Sequence, residues 1–207
     1  MRTASCAATL TERLDPLPGD ALVPDAVLCA THAVCIDAPP RQVWPWLAQM
    51  GADRGGWYSH DWIDLGGRRS AEQLLPGLKD LAVGDVLAAA PGPTDGFVVS
   101  SVEPPRELVL VWPAADGGGA VASWAFVLLA SPDGERTRLL VRARLSHAVL
   151  RQPAPAGRAR TFAERIYRAV PHVPAPVLRA MASIGHDFMQ TGQLRGIKRR
   201  AEASASD

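Results

Sequence analysis

The chain has 207 residues, is 47% hydrophobic and 21% charged, and carries a formal net charge of +1. A chain of this length buries roughly 70% of its unfolded surface, so a single domain with appendages needs neither metal nor disulfide to hold it together. Near-zero net charge excludes the strong basic surplus of a dedicated nucleic-acid binder.

Charge is unevenly placed along the chain, with residues 1–150 at net −5 and residues 151–207 at net +6. A solvated helix face accounts for the basic end as well as an anionic partner does. Of the 22 basic residues 20 are Arg, which together with 34 Ala reads as base composition. Cys6, Cys29 and Cys35 are odd in number, lack CxxC spacing and sit beside no histidine cluster, so neither a disulfide framework nor a zinc site is indicated. No metal or cofactor is expected. The N-terminal stretch lacks the apolar run of a secretory signal, and the uncharged run from Gly117 to Pro132 is too short and glycine-rich to span a bilayer. The expectation is a cytoplasmic protein without stable membrane insertion, its oligomeric state left open.

Residues 1–30, with Pro16, Pro18-Gly19 and Pro24, read as an irregular N-terminal arm holding one short helix at most. Thr31 to Asp37 alternates as a strand, and Ala38-Pro39-Pro40 stops it. From Arg41 to Met50, Val43, Trp46, Leu47 and Met50 fall at i, i+3, i+4 and i+7, one apolar face of a helix that Gly51 ends. Residues 51–70 mix five glycines with Trp57, Tyr58 and Trp62 and read as loop or short helix. Ser70, with Gln73 three residues on, looks like the N-cap of a short helix reaching Leu81. The period then changes to two, and Asp85–Pro91, Gly96–Val102, Glu107–Pro113, Ala120–Ala130 and Thr137–His147 read as five strands of an antiparallel meander. On the last strand Leu139, Val141, Ala143, Leu145 and His147 share one face, and Arg138, Arg142 and Arg144 share the other. Two helices close the chain, Gly157 to Val170 and Pro176 to Glu202. The second has a stripe of Val177, Met181, Ile184 and Phe188, and carries Gly185, Gly192 and Gly196 at about 1 kcal/mol each relative to Ala. Such a cost suggests close backbone approach, a bend or a frayed end.

Strand, helix, glycine-rich loop, meander and long C-terminal helix form the order of an α+β helix-grip fold, in which a curved antiparallel sheet wraps a long helix around a cavity. The stretches THAVCIDAPPRQVWPWLAQMG (31–51), GGWYSHDW (55–62), LPGLKDLAVGDVL (75–87), SWAFVLL (123–129), TRLLVRARL (137–145) and LRGIKRRAE (194–202) resemble a bacterial member of the SRPBCC superfamily, the group of START lipid-transfer proteins and polyketide cyclases. The resemblance implies one START-like domain over residues 31–203 and an internal cavity for a hydrophobic or aromatic, lipid- or polyketide-like small molecule. Family membership does not by itself imply a reaction.

Ser59-His60-Asp61 has the residue types of a catalytic triad, but three successive side chains cannot converge into a relay. His60, Asp61 and His147 are candidates for a lone acid or base, as in a cyclase or dehydratase. Trp57, Tyr58, Trp112, Trp124, Phe126 and Phe188 are the candidate ligand-binding rings, since an apolar ligand is typically lined by aromatics with a few orienting polar groups. Trp44 and Trp46 are expected in the core, against the sheet. His186-Asp187 lacks partner ligands at metal-site spacing.

Overall fold

The computed structural model describes residues 7–78, 80–92, 95–148 and 175–204. The chain enters through α1 (Leu10–Leu14), where the Thr9 hydroxyl accepts from the Glu12 amide and the Glu12 carboxylate accepts from the Thr9 amide, a reciprocal capping box. A 3-10 turn at Asp20–Leu22 follows. Strand β1 then spans Ala26–Ile36, five residues earlier than the sequence suggests, so the arm is shorter than residues 1–30. Its first half is held by pairing with β6 and is only partly buried, which leaves little hydrophobic alternation to read.

Helix α2 (Pro40–Ala48) carries proline in its first turn, where the missing amide has no intrahelical partner to lose. It buries Val43, Trp44, Trp46, Leu47 and Ala48. Helix α3 (Asp61–Asp64) is one turn long. The predicted helix over Ser70–Leu81 does not form, because its polar groups bond elsewhere. The Ser70 hydroxyl donates to Asp61 and accepts from the Tyr58 amide, while the Leu75 amide donates to Gln49 Oε1.

Four strands of the meander follow the sequence reading closely, β3 (Gly96–Glu103), β4 (Glu107–Pro113), β5 (Ala120–Ala130) and β6 (Thr137–Ser146), whereas the first, β2, is confined to Val86–Ala88 rather than Asp85–Pro91. The six strands form one antiparallel sheet in the order β1-β6-β5-β4-β3-β2. Helix α4 (Ala175–Ser204) packs against β1 and α2. Ile36, Leu47, Leu108, Leu110, Phe126, Leu139, Leu194 and Ile197 are among the fully buried members of the core between sheet and helices. This is the helix-grip architecture. The predicted helix over Gly157–Val170 lies outside the described residues.

Two features depart from the sequence reading. The buried face of α4 is Gln190, Gln193, Leu194, Ile197 and Ala201, whereas Ile184 and Phe188 are 71% and 51% exposed. Phe188 and Gln190 are two residues apart, about 200° around the helix, so the two stripes lie on nearly opposite faces. The polar face of the sheet is not bare either, since the N-terminal arm covers it. Arg142, 3% exposed, sends all its guanidinium donors into the arm and β1, and Val23 of the arm is fully buried.

Candidate functional site

Glycine sets the approach of α4 to the loop that carries the site. A Cβ on Gly196 would lie 2.1 Å from the Tyr58 carbonyl oxygen, and one on Gly192 would lie 2.8 Å from His60 Nε2. Two of the three helix glycines therefore mark close approach, as their cost suggests. Tyr58 has φ 59°, uncommon for an aromatic residue. It is locked there: its amide donates to Ser70 Oγ, its hydroxyl accepts from Gln49 Nε2 at 2.8 Å, and the Arg200 guanidinium lies 4.8 Å from its ring centroid. Burial pushes the Tyr58 phenol up. Tyr58 is thus a strut of the loop rather than a wall of the pocket.

That geometry aims Trp57 and Ser59 into a pocket of about 210 Å³ between the sheet and α4. Its aromatic wall is Trp57, Phe97 and Trp124. Trp57 stacks on Trp124 with centroids 5.5 Å apart, and Phe97 meets Trp57 edge-on at 5.7 Å. Ala89 and Met189 add apolar surface, and Ser59, Asp64, His186, Gln190 and Gln193 supply the polar lining.

Most of the lining donors are already engaged. Trp57 Nε1 donates to the Ala89 carbonyl, Trp124 Nε1 donates to Gln190 Oε1, Gln190 Nε2 donates to Gln193 Oε1, and Ser59 Oγ donates to the Met189 carbonyl. Among the described lining residues two buried side-chain atoms have no partner, Asp64 Oδ1 and His186 Nε2. Desolvation first, then the neighbouring Asp61 carboxylate, raises the Asp64 carboxyl to about 7. Desolvation, then His32, whose ring centroid is 5.7 Å away, lowers His186 to about 4. His32 in turn bonds Asp187 through Nε2 at 3.1 Å. Among the described residues no group of three or more His, Cys, Asp and Glu side chains is placed to hold a metal ion.

Neither Asp64 nor His186 stood out in the sequence as a pocket residue. The only signal for Asp64 was an acidic residue within the tryptophan- and glycine-rich loop, and a one-turn helix gives no periodicity to orient it. His186 was visible only as half of a rejected metal pair.

The other candidates are distributed differently. Trp57 and Trp124 line the pocket. Trp112 stands behind it, edge-on to Phe97 at 5.1 Å, and Phe126 is core, 5.0 Å from Trp124. Phe188 stacks on His60 at 3.9 Å outside the pocket, a consequence of the rotated α4 stripe. Asp61 accepts from both the amide and the hydroxyl of Ser70, which pins the loop. Ser59, His60 and Asp61 thus point to three different partners. His147 does not face inward: β6 ends at Ser146, the chain turns there, and His147 is exposed. Trp44 and Trp46 are core, as expected.

A second, more polar groove of about 330 Å³ runs past His60, Asp61 and Arg195. Arg199 and Arg200 on its wall are paired with Glu72, so much of its charge is internally neutralised. The aromatic pocket, with unpartnered polar atoms against apolar rings, is the better ligand site.

The Asp64 carboxyl also marks the pocket thermodynamically. Its proton is held more tightly in the folded chain, so its contribution to stability is present below the ordinary aspartate value of 3.8 and is lost as pH rises through about 7. Urea unfolding across this window is expected to show Asp64→Asn gaining stability over the parent as pH rises, and parallel curves for the two proteins would refute the shift.

No family model matches the chain, and no curated protein matches its sequence. Solved structures do. Protein NE0264 from Nitrosomonas europaea is 11% identical with a TM-score of 0.50, the match covering 87% of this chain and 97% of that one. Weaker likenesses are MLL2253 from Mesorhizobium loti, 18% identical with a TM-score of 0.39 over 84% of this chain and 98% of that one, and StfQ, a di-domain ARO/CYC from the steffimycin biosynthetic pathway. StfQ is 14% identical with a TM-score of 0.39, the match covering 89% of this chain and 53% of that one. The protein is therefore an α+β helix-grip protein with an aromatic pocket between sheet and C-terminal helix. No helix among the described residues is long and apolar enough to cross a membrane.

Proposed function

We propose that the chain is a member of the SRPBCC superfamily and binds a small aromatic molecule in the pocket lined by Trp57, Phe97 and Trp124. The observation that carries this reading is an aromatic wall beside polar atoms without partners inside the protein. Buried polar atoms are ordinarily hydrogen-bonded, and a ligand would satisfy them. The volume favours a compact body. A cavity of roughly 150 Å³ takes up benzene, so about 210 Å³ suits one or two rings better than a long acyl chain.

The test is native mass spectrometry of the protein purified from its own host, followed by solvent extraction and identification of what was bound. An aromatic small molecule at one equivalent supports the reading, and a long-chain lipid would sink it. Trp57→Ala and Trp124→Ala are each expected to weaken binding of the recovered ligand about tenfold in calorimetric titrations, since a buried aromatic contact contributes on the order of 1–2 kcal/mol. Undiminished affinity in both variants would remove these rings from the site.

A second reading is favoured by one observation, the Asp64 carboxyl raised into the neutral range. A carboxyl that gains and loses its proton near pH 7 inside a desolvating pocket is suited to general acid–base work of the cyclase or dehydratase kind. In that case the recovered ligand is turned over, and Asp64→Asn abolishes the turnover while binding persists.

A further inference from the structure

The pocket's chemistry is asymmetric. Its side-chain donors on Trp57, Trp124, Gln190 and Ser59 bond within the protein, and what is left without a partner is an Asp64 carboxyl oxygen and a His186 ring nitrogen. No Arg or Lys is among the described lining residues, so none of these would neutralise a bound anion. The one acid among the described lining residues sits in the same pocket as three aromatic rings, whose faces attract cations. A carboxylic or phenolate ligand would place negative charge beside Asp64 with no counter-charge, at a large desolvation cost. A ligand bearing N–H donors and a positive charge meets each of these features.

We infer that the pocket selects an aromatic amine, one or two rings carrying a protonated amino group, with the ammonium on Asp64 and the rings against Trp57, Phe97 and Trp124. This rests on the pocket being the ligand site and names the class of ligand that it takes. Among the described residues, the titratable groups around Asp64 are Asp61 on its own helix, which strengthens the negative potential, and His186 from α4, which its buried setting keeps neutral. Neither competes with a cation.

The sign of the pH dependence separates this from a neutral ligand. An ammonium must displace the Asp64 proton, so its affinity rises with pH up to about 7 and then levels off. A neutral hydroxyl or carbonyl ligand that accepts from the protonated carboxyl shows the reverse.

The experiment compares three isosteric probes, 2-(aminomethyl)naphthalene, 2-(hydroxymethyl)naphthalene and 2-naphthoate, by isothermal titration calorimetry between pH 5.5 and 8. At pH 8 the amine is expected to bind about tenfold or more tightly than the alcohol, with the carboxylate weakest. The amine's affinity should fall as pH is lowered below about 7, by up to about tenfold per unit, while the alcohol's does not. Asp64→Asn should reduce the amine-to-alcohol ratio to within about threefold, and the pH profile of the parent protein supplies the same information if that variant does not fold. Equal binding of amine and alcohol, or tighter binding of the alcohol or carboxylate, overturns the inference but leaves the pocket a ligand site. Failure of all three probes to bind at any pH overturns both.

Discussion

Replacing Arg142 with alanine is expected to lower the free energy of unfolding by about 3–5 kcal/mol, the range for removing one partner of a buried, hydrogen-bonded charge. The side chain starts on β6 and is 3% exposed. Its Nε donates to Thr31 Oγ1 on β1, Nη1 donates to the Asp15 carbonyl and to Asp20 Oδ2 at 2.7 Å, and Nη2 donates to the carbonyls of Glu12 and Arg13. One guanidinium thus caps the carbonyl end of α1, pairs with the 3-10 turn and joins both to the sheet. Alanine leaves the α1 carbonyls and Thr31 Oγ1 without this donor and takes from Asp20 its closest counter-charge, leaving it the Leu17 amide and Arg144, so either these groups stay buried at that cost or the arm lifts into water. Chemical denaturation gives the size of the loss, and hydrogen exchange at residues 7–25 separates the two routes. Arg142→Lys should recover less than half, because an ammonium cannot reproduce the planar fork that reaches five acceptors. A loss below about 1 kcal/mol, with unchanged exchange in the arm, would show that the arm is held by its other ties, the Arg138–Glu12 ion pair, the Arg144 bond to the Val23 carbonyl and its apolar contacts. The apolar contacts include the fully buried Val23 and a small cluster of Ala8, Ala33 and Leu140 with Leu17 and Val127 packed against it.

Arg142 also shows why some of the structure could be read from sequence and some could not. Strands β3 to β6 are readable almost to the residue, because each is a run of mainly apolar and β-branched residues bounded by turns rich in Gly, Pro and Asp, and on β6 an apolar face alternates with one carrying Arg138, Arg142 and Arg144. The same alternation placed Arg142 on the face away from the core, but gave no hint that a segment some 120 residues earlier covers that face. The buried stripe of α4 departs from the hydropathy pattern for a related reason. Gln190, Gln193 and Arg200 are buried on it because their polar groups bond to Trp124, to one another and to Ala71 and Glu72, whereas hydropathy treats them as solvent-facing. Trp57 and Trp124 were found as large rings in the right segments. Asp64 and His186 were missed because their importance comes from what they lack, a partner, and that is a property of the folded surroundings.

The three glycines of α4 provide a graded test of how the helix and the site depend on one another. Gly185 has open space where a Cβ would be, so Gly185→Ala is expected to stabilise the protein by up to about 1 kcal/mol through helix propensity alone. At Gly192 the new methyl meets the far end of the His60 ring at 2.8 Å. That ring can turn aside at the loss of its stacking on Phe188, a cost of about 1 kcal/mol that roughly cancels the propensity gain. Gly196→Ala has no such escape. The methyl would lie 2.1 Å from the Tyr58 carbonyl oxygen and 2.9 Å from Tyr58 Cβ, so backbone must move. Tyr58 is fixed from four sides, by Ser70 at its amide, Gln49 at its hydroxyl, Arg200 over its ring and the edge of Trp46 5.9 Å away. The expected penalty is about 3 kcal/mol or more, at or beyond the upper end for an added methyl in a packed interior. The residues on either side of Tyr58, Trp57 and Ser59, line the pocket, so a displaced loop should also cost ligand affinity, an effect that Gly185→Ala does not produce. Urea unfolding of the three variants, paired with titration of whichever aromatic probe binds the parent protein, reads both quantities. If Gly196→Ala were as stable as Gly185→Ala, the close approach of α4 to Tyr58 would be refuted, and with it the reason this long helix carries glycine at a buried turn.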